Sequence, residues 1–505
     1  MRHSPFFLAL LLLPQLAQAG PVFEPRNVPN HVYGGGWEHF VGGGLAAFDC
    51  NGDALPELYA AGGSNPAQLL INQSSAGGLL TYDTQTPEAL SLSGVIGAYP
   101  LDIDSDGELD LAILRVGENH LMRGLGGCDF EPFDDLGFAG SDRWSTAFSA
   151  TWEDGQSLPT LAIGNYVNRD DPEGPFEACD ANSLYRPVSN SYGAPTILEP
   201  GFCALSMLFS DWDRRGHADL RVSNDRHYYV RRGQEQLWAM EPTPRLYGPE
   251  DGWNSHQLWG MGIASRDVTG DGLSEVYLTS MGDQRFQLRE SDGEGPGFVD
   301  APYEAGASAH RPYTGDDGRP STGWHAVFGD VQNDGFDDLF VAKGNVEQMP
   351  GSAMDDPNNL LLGQADGTFA EAGLEAGIAT PHRSRGAVLM DLNADGLLDL
   401  AVVNRHVPLE LYQNVSADTG NWLQIHVRQN GSNGFAVGAF VEVRAGQRLW
   451  TQEITVGGGH AGGVAGALHF GLGNVEHAEV RVIWPDGSPS EWQVHTVNQL
   501  LSIHR

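Results

Sequence analysis

The chain has 505 residues, with 66 acidic against 28 basic side chains and a formal charge of −38. That balance excludes nucleic acid and anionic membrane surfaces as partners. The length allows roughly two to four domains, or one large repeat architecture plus an appendage.

Residues 1–19 read as an export signal. Arg2 and His3 precede the apolar run 6–13, and Ala17-Gln-Ala19 is a small-residue cleavage pattern that leaves Gly20 first. No later run approaches the roughly 20 apolar residues that span a bilayer, so no membrane insertion is expected. The expected mature chain is soluble, secreted or periplasmic, in a compartment that permits disulfides. Cys50, Cys128, Cys179 and Cys203 allow three pairings. The preferred one joins Cys179 to Cys203, pinning a long insertion, and Cys50 to Cys128.

From residue 49 onward an acidic nine-residue pattern recurs. Its first form is Asp49, Asn51, Asp53 and Glu57, followed by Asp102, Asp104, Asp106 and Asp110. Then come Asp267, Thr269, Asp271 and Glu275; Asp330, Gln332, Asp334 and Asp338; and Asp391, Asn393, Asp395 and Asp399. Oxygen side chains thus stand at positions one, three, five and nine, with a glycine at six in four of the five loops. A hard cation such as Ca²⁺ takes six to eight oxygens at about 2.3–2.6 Å, which requires inward carboxylates and a sharp turn. Five copies in one frame predict about five Ca²⁺ sites.

Two further copies are damaged. At 152–160 the ligand positions hold Trp152, Gln156 and Thr160, and no ion is expected there. At 211–219, Asp211, Asp213 and Asp219 remain but Arg215 occupies position five. The guanidinium is expected to serve as an internal counter-ion, so that Arg215→Asp adds one Ca²⁺.

The loops start at 49, 102, 152, 211, 267, 330 and 391, so the period is 50–63 residues. Each unit reads as a glycine-containing strand, the loop, an apolar strand, a third strand and often a fourth with phenylalanine. Seven such units predict an all-β, seven-bladed β-propeller over residues 20–415. The last unit lacks its fourth strand, and Pro21-Val-Phe-Glu-Pro25 matches the fourth strands elsewhere, so it is expected to close the ring. Segments 165–203 and 290–323 exceed the repeat and read as surface loops. After residue 420 the pattern changes, and 421–505 reads as a separate β-sandwich-like domain, separable from the propeller and cut first by proteases between 414 and 420.

The repeated Asp-x-Asp/Asn-x-Asp-Gly-x-x-Asp units resemble the FG-GAP/VCBS repeats of integrin-α-type propellers. The tail resembles the ASPIC/UnbV domain through Asn421-Trp-Leu, Gly457-Gly-Gly-His-Ala-Gly462, His469-Phe-Gly-Leu-Gly473 and Trp484-Pro-Asp-Gly487. Together, in this order, they resemble the cartilage acidic protein family. The resemblance implies calcium in the loops and little about activity.

Two functions are weighed. The first is a secreted calcium-binding propeller, non-enzymatic, presenting loops to an extracellular protein or glycan. The second is a hydrolase or lyase with an active site at the propeller axis, although no catalytic residues can be named. Polar and aromatic residues precede the first strands, and His39, Trp259, Trp324, His325, Arg383 and Arg385 are the candidates to ring the axial mouth, with Trp37, His256 and His382 nearby. His460, among glycines, reads as a turn histidine.

Overall fold

The computed structural model describes residues 20–505 apart from 176, 226–232, 291–294, 309–310 and 314–317. The export signal at 1–19 lies outside the described residues.

Residues 20–415 form seven four-stranded antiparallel units. The innermost strands of the seven, here called blades one to seven, are Leu45–Phe48, Val95–Leu101, Asp142–Thr151, Ala204–Ser210, Gly260–Arg266, Gly323–Gly329 and Ser384–Met390. These strands and the second strands are almost wholly buried, and blade faces stack through alternating Leu, Val, Phe and Tyr. Blades two and three also pair edge to edge where Asp142–Trp144 meets Val116–Glu118.

The N-terminal strand Phe23–Arg26 pairs antiparallel with Glu410–Asn414 and supplies the outer strand of blade seven. Phe23 is buried in the core between blades six and seven. Phe23→Ala is expected to cost about 3 kcal/mol, the usual range for emptying a buried phenylalanine site. Chemical denaturation measures it, and a loss within about 0.5 kcal/mol would show the ring closes without this strand.

The disulfides are Cys50–Cys128 and Cys179–Cys203. The first ties the blade-one acidic loop to the turn ahead of the outer strand of blade two. The second pins the 165–203 insertion against blade four.

The tail is a two-sheet sandwich. One sheet holds Asn421–Arg428 between Leu468–Gly473 and Gln499–His504; the other holds Phe440–Ala445 and His477–Ile483 with their neighbours Arg448–Glu453 and Gln493–Thr496. Leu423, Ile425, Val441, Val443, Phe470 and Val480 fill the space between them.

Residues 456–465 leave this sandwich and run into the centre of the propeller. The innermost strands present unpaired edge groups to the axis, and this segment pairs with them in turn. Val456 bridges Ala150 of blade three, Gly457 bridges Leu208 of blade four, and Gly459 bridges Ile263 of blade five. His460 N then donates to His325 Nδ1 of blade six at 2.9 Å. The chain returns past Ala98 of blade two, and Val464–Ala465 adds a parallel strand to Ala47–Phe48 of blade one. Gly457, Gly458 and Gly459 all carry positive φ, which this path around the axis demands. The boundary near residue 420 therefore marks where blade seven ends in the chain; it does not separate two independent bodies.

Candidate functional site: the acidic loops and the axis

The acidic loops connect the first and second strands of their blades, so all lie on one face. In six of them the first aspartate wraps the loop by accepting backbone N–H groups. In blade seven Asp391 accepts from Asp395 N and Gly396 N at 3.2 and 2.8 Å, and in blade six Asp330 accepts from Asp334 N and Gly335 N at 3.1 and 2.6 Å. Positions four and six take positive φ, as at Ala394 and Gly396. Glycine at six meets that requirement.

The ninth residue clamps three strands together. Asp338 accepts from Val331 N at 2.9 Å on one oxygen and from Gly363 N at 2.9 Å on the other. Asp399 does the same with Leu392 N and Asn414 N, and Asp110 with Ile103 N and Gly124 N. Each oxygen keeps a lone pair for a cation. Glu57 and Glu275, one methylene longer, accept from Cys50 N and Val268 N, and also face the position-three side chains Asn51 and Thr269.

These carboxylates are crowded and buried. Burial, followed by the charges of neighbouring aspartates, pushes Glu275 up to about 8 and Glu57 up to about 7. Burial above all pushes Asp110 to about 8, and Asp102 and Asp267 to about 6. Asp330, Asp338 and Asp399 are held well above the carboxylate range for the same reasons. Oxygens of Asp102, Asp104 and Asp110 lie within 4.8 Å of one another. Asn393 Oδ1 is buried without a hydrogen-bond donor. An electron-rich, like-charged oxygen set with an unused buried acceptor fits a dication.

The damaged loops are filled differently. In blade three Thr160 Oγ1 donates to Glu153 Oε1 at 2.7 Å, Gln156 Nε2 bonds Thr160 at 3.1 Å, and Arg186 pairs with Glu153 at 2.8 Å. In blade four Arg215 Nε stands 3.0 Å from Asp213 Oδ2, with its side chain 60% exposed. Asp219 differs from its counterparts. Its Oδ2 accepts both Trp212 Nε1 and Tyr247 OH at 2.8 Å, and its Oδ1 accepts Met240 N at 2.9 Å. Both lone pairs of Oδ2 are therefore used. Arg215→Asp alone is now expected to leave the Ca²⁺ count unchanged, whereas Arg215→Asp with Tyr247→Phe adds one ion. Calorimetric ion counting distinguishes the two, and a gain in the single variant would refute the account.

The tail covers this acidic face. Gln424 Nε2 donates to Asp391 Oδ2 at 2.7 Å, and Asn433 N donates to Ser105 Oγ at 2.9 Å. Trp450 Nε1 donates to Gly335 O at 3.0 Å, and Arg448 also reaches that carbonyl while stacking on Phe336. His469 Nε2 meets Asn333 Oδ1 at 2.7 Å. In blade four Arg214 pairs with the buried Glu442 at 2.8 Å, and Glu453 accepts Ser210 Oγ and Asp211 N.

The axial candidates do not meet at one point. His325 and Arg385 are buried in the packing around the inserted segment. Arg385 lies 3.8 Å over the Trp324 ring and donates to the carbonyls of Phe40, Ser384, Asn345 and Val346. His460 is fully buried against Trp324. Burial pushes His325 down to about 4 and His460 down to about 3, so both are neutral in ordinary buffers. Arg383 pairs with Glu347 at 3.3 Å, and the His39 and Trp259 carbonyls accept from Arg405 and Met281 N. His256 contacts Gln287 in blade five, and His382 contacts Glu410. Sequence reasoning missed Arg405, which donates to Glu347, His39 O and Gly35 O and is the main tie at the open end of the axis. Its loop position has no periodic signal.

Fold and loops define the class: an FG-GAP-type β-propeller capped on its acidic face by a β-sandwich. Residues 330–402 match the FG-GAP-like repeat family and residues 429–505 match the ASPIC and UnbV family. Cartilage acidic protein 1 of Mus musculus is 33% identical over 111 residues, 21% of this chain and 17% of that protein. The Homo sapiens protein gives 33% over 111 residues, 21% and 16%. The Xenopus tropicalis protein gives 29% over 133 residues, 24% and 20%. The alignments thus span a fifth or less of these relatives. The two family matches, in this order along the chain, and the cartilage acidic protein 1 relatives support a likeness to the cartilage acidic protein family, whose FG-GAP repeats precede an ASPIC/UnbV domain. Solved structures similar to it include BBS1N in complex with ARL6DN, with TM-score 0.42, 9% identity, and coverage of 77% of this chain and 96% of that one. The SapL1 lectin in complex with alpha methyl fucoside gives TM-score 0.37, 11% identity, 67% and 96%. Among the described residues no helix is long and apolar enough to cross a membrane.

Proposed function

We propose that the chain is a secreted, calcium-stabilised binding protein, non-enzymatic, with Ca²⁺ in the five intact acidic loops and an extracellular protein or glycan as partner. The observation that carries this is the clustering of buried carboxylates in those loops. Like charges removed from water are costly unless a cation joins them. Asp102, Asp104, Asp106 and Asp110, and their equivalents, would hold the ion through side-chain oxygens. Bound Ca²⁺ supplies charge neutralisation and a fixed loop shape. The tail covers the loop face, so partners meet the opposite face and the rim.

The axial hydrolase or lyase reading loses its geometric support. His325 accepts from the inserted segment, Arg385 is tied to four carbonyls and the Trp324 ring, and Arg383 is paired with Glu347. Isothermal calorimetry on the protein exported and stripped of metal tests the calcium reading. About five sites are expected, falling by one in Asp102→Asn. Fewer than two sites in the wild type would overturn it.

A further inference from the structure

The inserted segment closes the axis on the acidic side but leaves it hollow at the other end. There, beyond the starts of the first strands and the ends of the second strands, lies a cavity of about 410 Å³. This volume falls in the range of small-molecule sites, about 300–1,000 Å³. Met261 and Trp324 line its inner part, Phe40, Met281 and Met349 its sides, and Trp37 its mouth. Trp37 stacks on Phe40 at 4.8 Å and meets Trp144 edge-on at 5.7 Å, yet is 50% exposed, so one face of its indole is open to a ligand.

The charges at the rim are already engaged. Glu347 is met by Arg405, Arg383 and His406. Arg405 spends its other N–H groups on the carbonyls of His39, Gly35 and Gly36. Asp225 accepts Tyr166 OH at 2.6 Å. A charged ligand would therefore enter an apolar space and have to compete with these contacts for a counter-ion, a costly transfer. Aromatic walls with three thioethers suit a flat, uncharged ring instead, since sulfur and indole both pack well on π faces.

We propose that this open-face axial cavity is a binding site for a compact, uncharged, aromatic small molecule. It is independent of the calcium reading and is tested in constant Ca²⁺.

The probe is N-phenyl-1-naphthylamine, compared with 8-anilinonaphthalene-1-sulfonate, which places a sulfonate on a similar ring system. The uncharged probe is expected to bind saturably at one per chain, at least tenfold tighter than the sulfonate. Met281→Trp, which fills the cavity, should weaken it more than tenfold. Trp37→Ala removes a half-exposed ring at the mouth without emptying the core, should leave the melting temperature nearly unchanged, and should weaken binding about fivefold. If Met281→Trp fails to fold, Trp37→Ala alone decides. No saturable binding by the wild type, equal or tighter binding of the sulfonate, or affinity unchanged in Trp37→Ala would each overturn the proposal.

Discussion

Gly97→Ala is expected to destabilise the protein by about 3 kcal/mol or more, at the upper end of overpacking costs. Nothing in the local backbone forbids alanine at 97, because its φ is not positive. In an isolated strand alanine is favoured over glycine by roughly 0.5–1 kcal/mol. The penalty comes from the tail. A Cβ at residue 97 would stand 1.6 Å from the Ala461 carbonyl oxygen, and one at Gly44 of blade one would stand 1.7 Å from the same atom. Gly462 in turn approaches the Leu45 backbone, where a Cβ would meet Leu45 O at 2.2 Å. These are backbone atoms in the middle of a ring, so no side-chain rotation relieves the clash.

The decisive comparison is a double-mutant cycle. Replacing 457–463 with a short Gly/Ser linker empties the axis, and in that background Gly97→Ala should be neutral or slightly stabilising. Equal penalties in the two backgrounds would mean that the inserted segment does not occupy the axis in solution.

The propeller was readable because its signals are local. A nine-residue loop with a fixed frame needs only its own residues, and seven copies declare the repeat. Closure by Phe23–Arg26 was legible for the same reason, since the strand resembles its sisters. The inserted segment was not. Gly457-Gly-Gly-His-Ala-Gly462 has no periodicity, and its partners Ala98, Ala150, Leu208 and Ile263 lie roughly 200–360 residues earlier in the chain. His460 read as a turn residue because what buries it comes from blades five and six and the Arg385 packing. The fourth loop misled in a subtler way. Arg215 breaks the pattern visibly, but the second obstacle is Tyr247, which lies outside the nine-residue frame and reaches Asp219 only across the blade.

Without Ca²⁺ the protein is expected to lose stability as pH rises from about 5 to about 8. The sign follows from linkage. A carboxylate whose folded value is raised holds more protons folded than unfolded, so stability falls with pH between the two values. Glu275 and Asp110, raised to about 8, and Glu57, raised to about 7, set the upper end of this window, and Asp102 and Asp267, raised to about 6, act lower in it. Below the unfolded carboxylate values, near pH 4, the penalty vanishes because both states are protonated. On the proposed calcium reading, Ca²⁺ in the loops is expected to reverse the slope, since it would require the ionised forms that burial opposes. At tenfold excess over its dissociation constant each such ion would add about 1.4 kcal/mol, and five together would rival the whole stability of an ordinary domain, about 5–15 kcal/mol. Melting curves in chelator and in millimolar Ca²⁺ at pH 5 and pH 8 provide the test. The chelator should matter little at pH 5 and lower the melting temperature strongly at pH 8. A chelated protein that grows more stable towards pH 8 would show that the loops relieve their crowded charges without a metal.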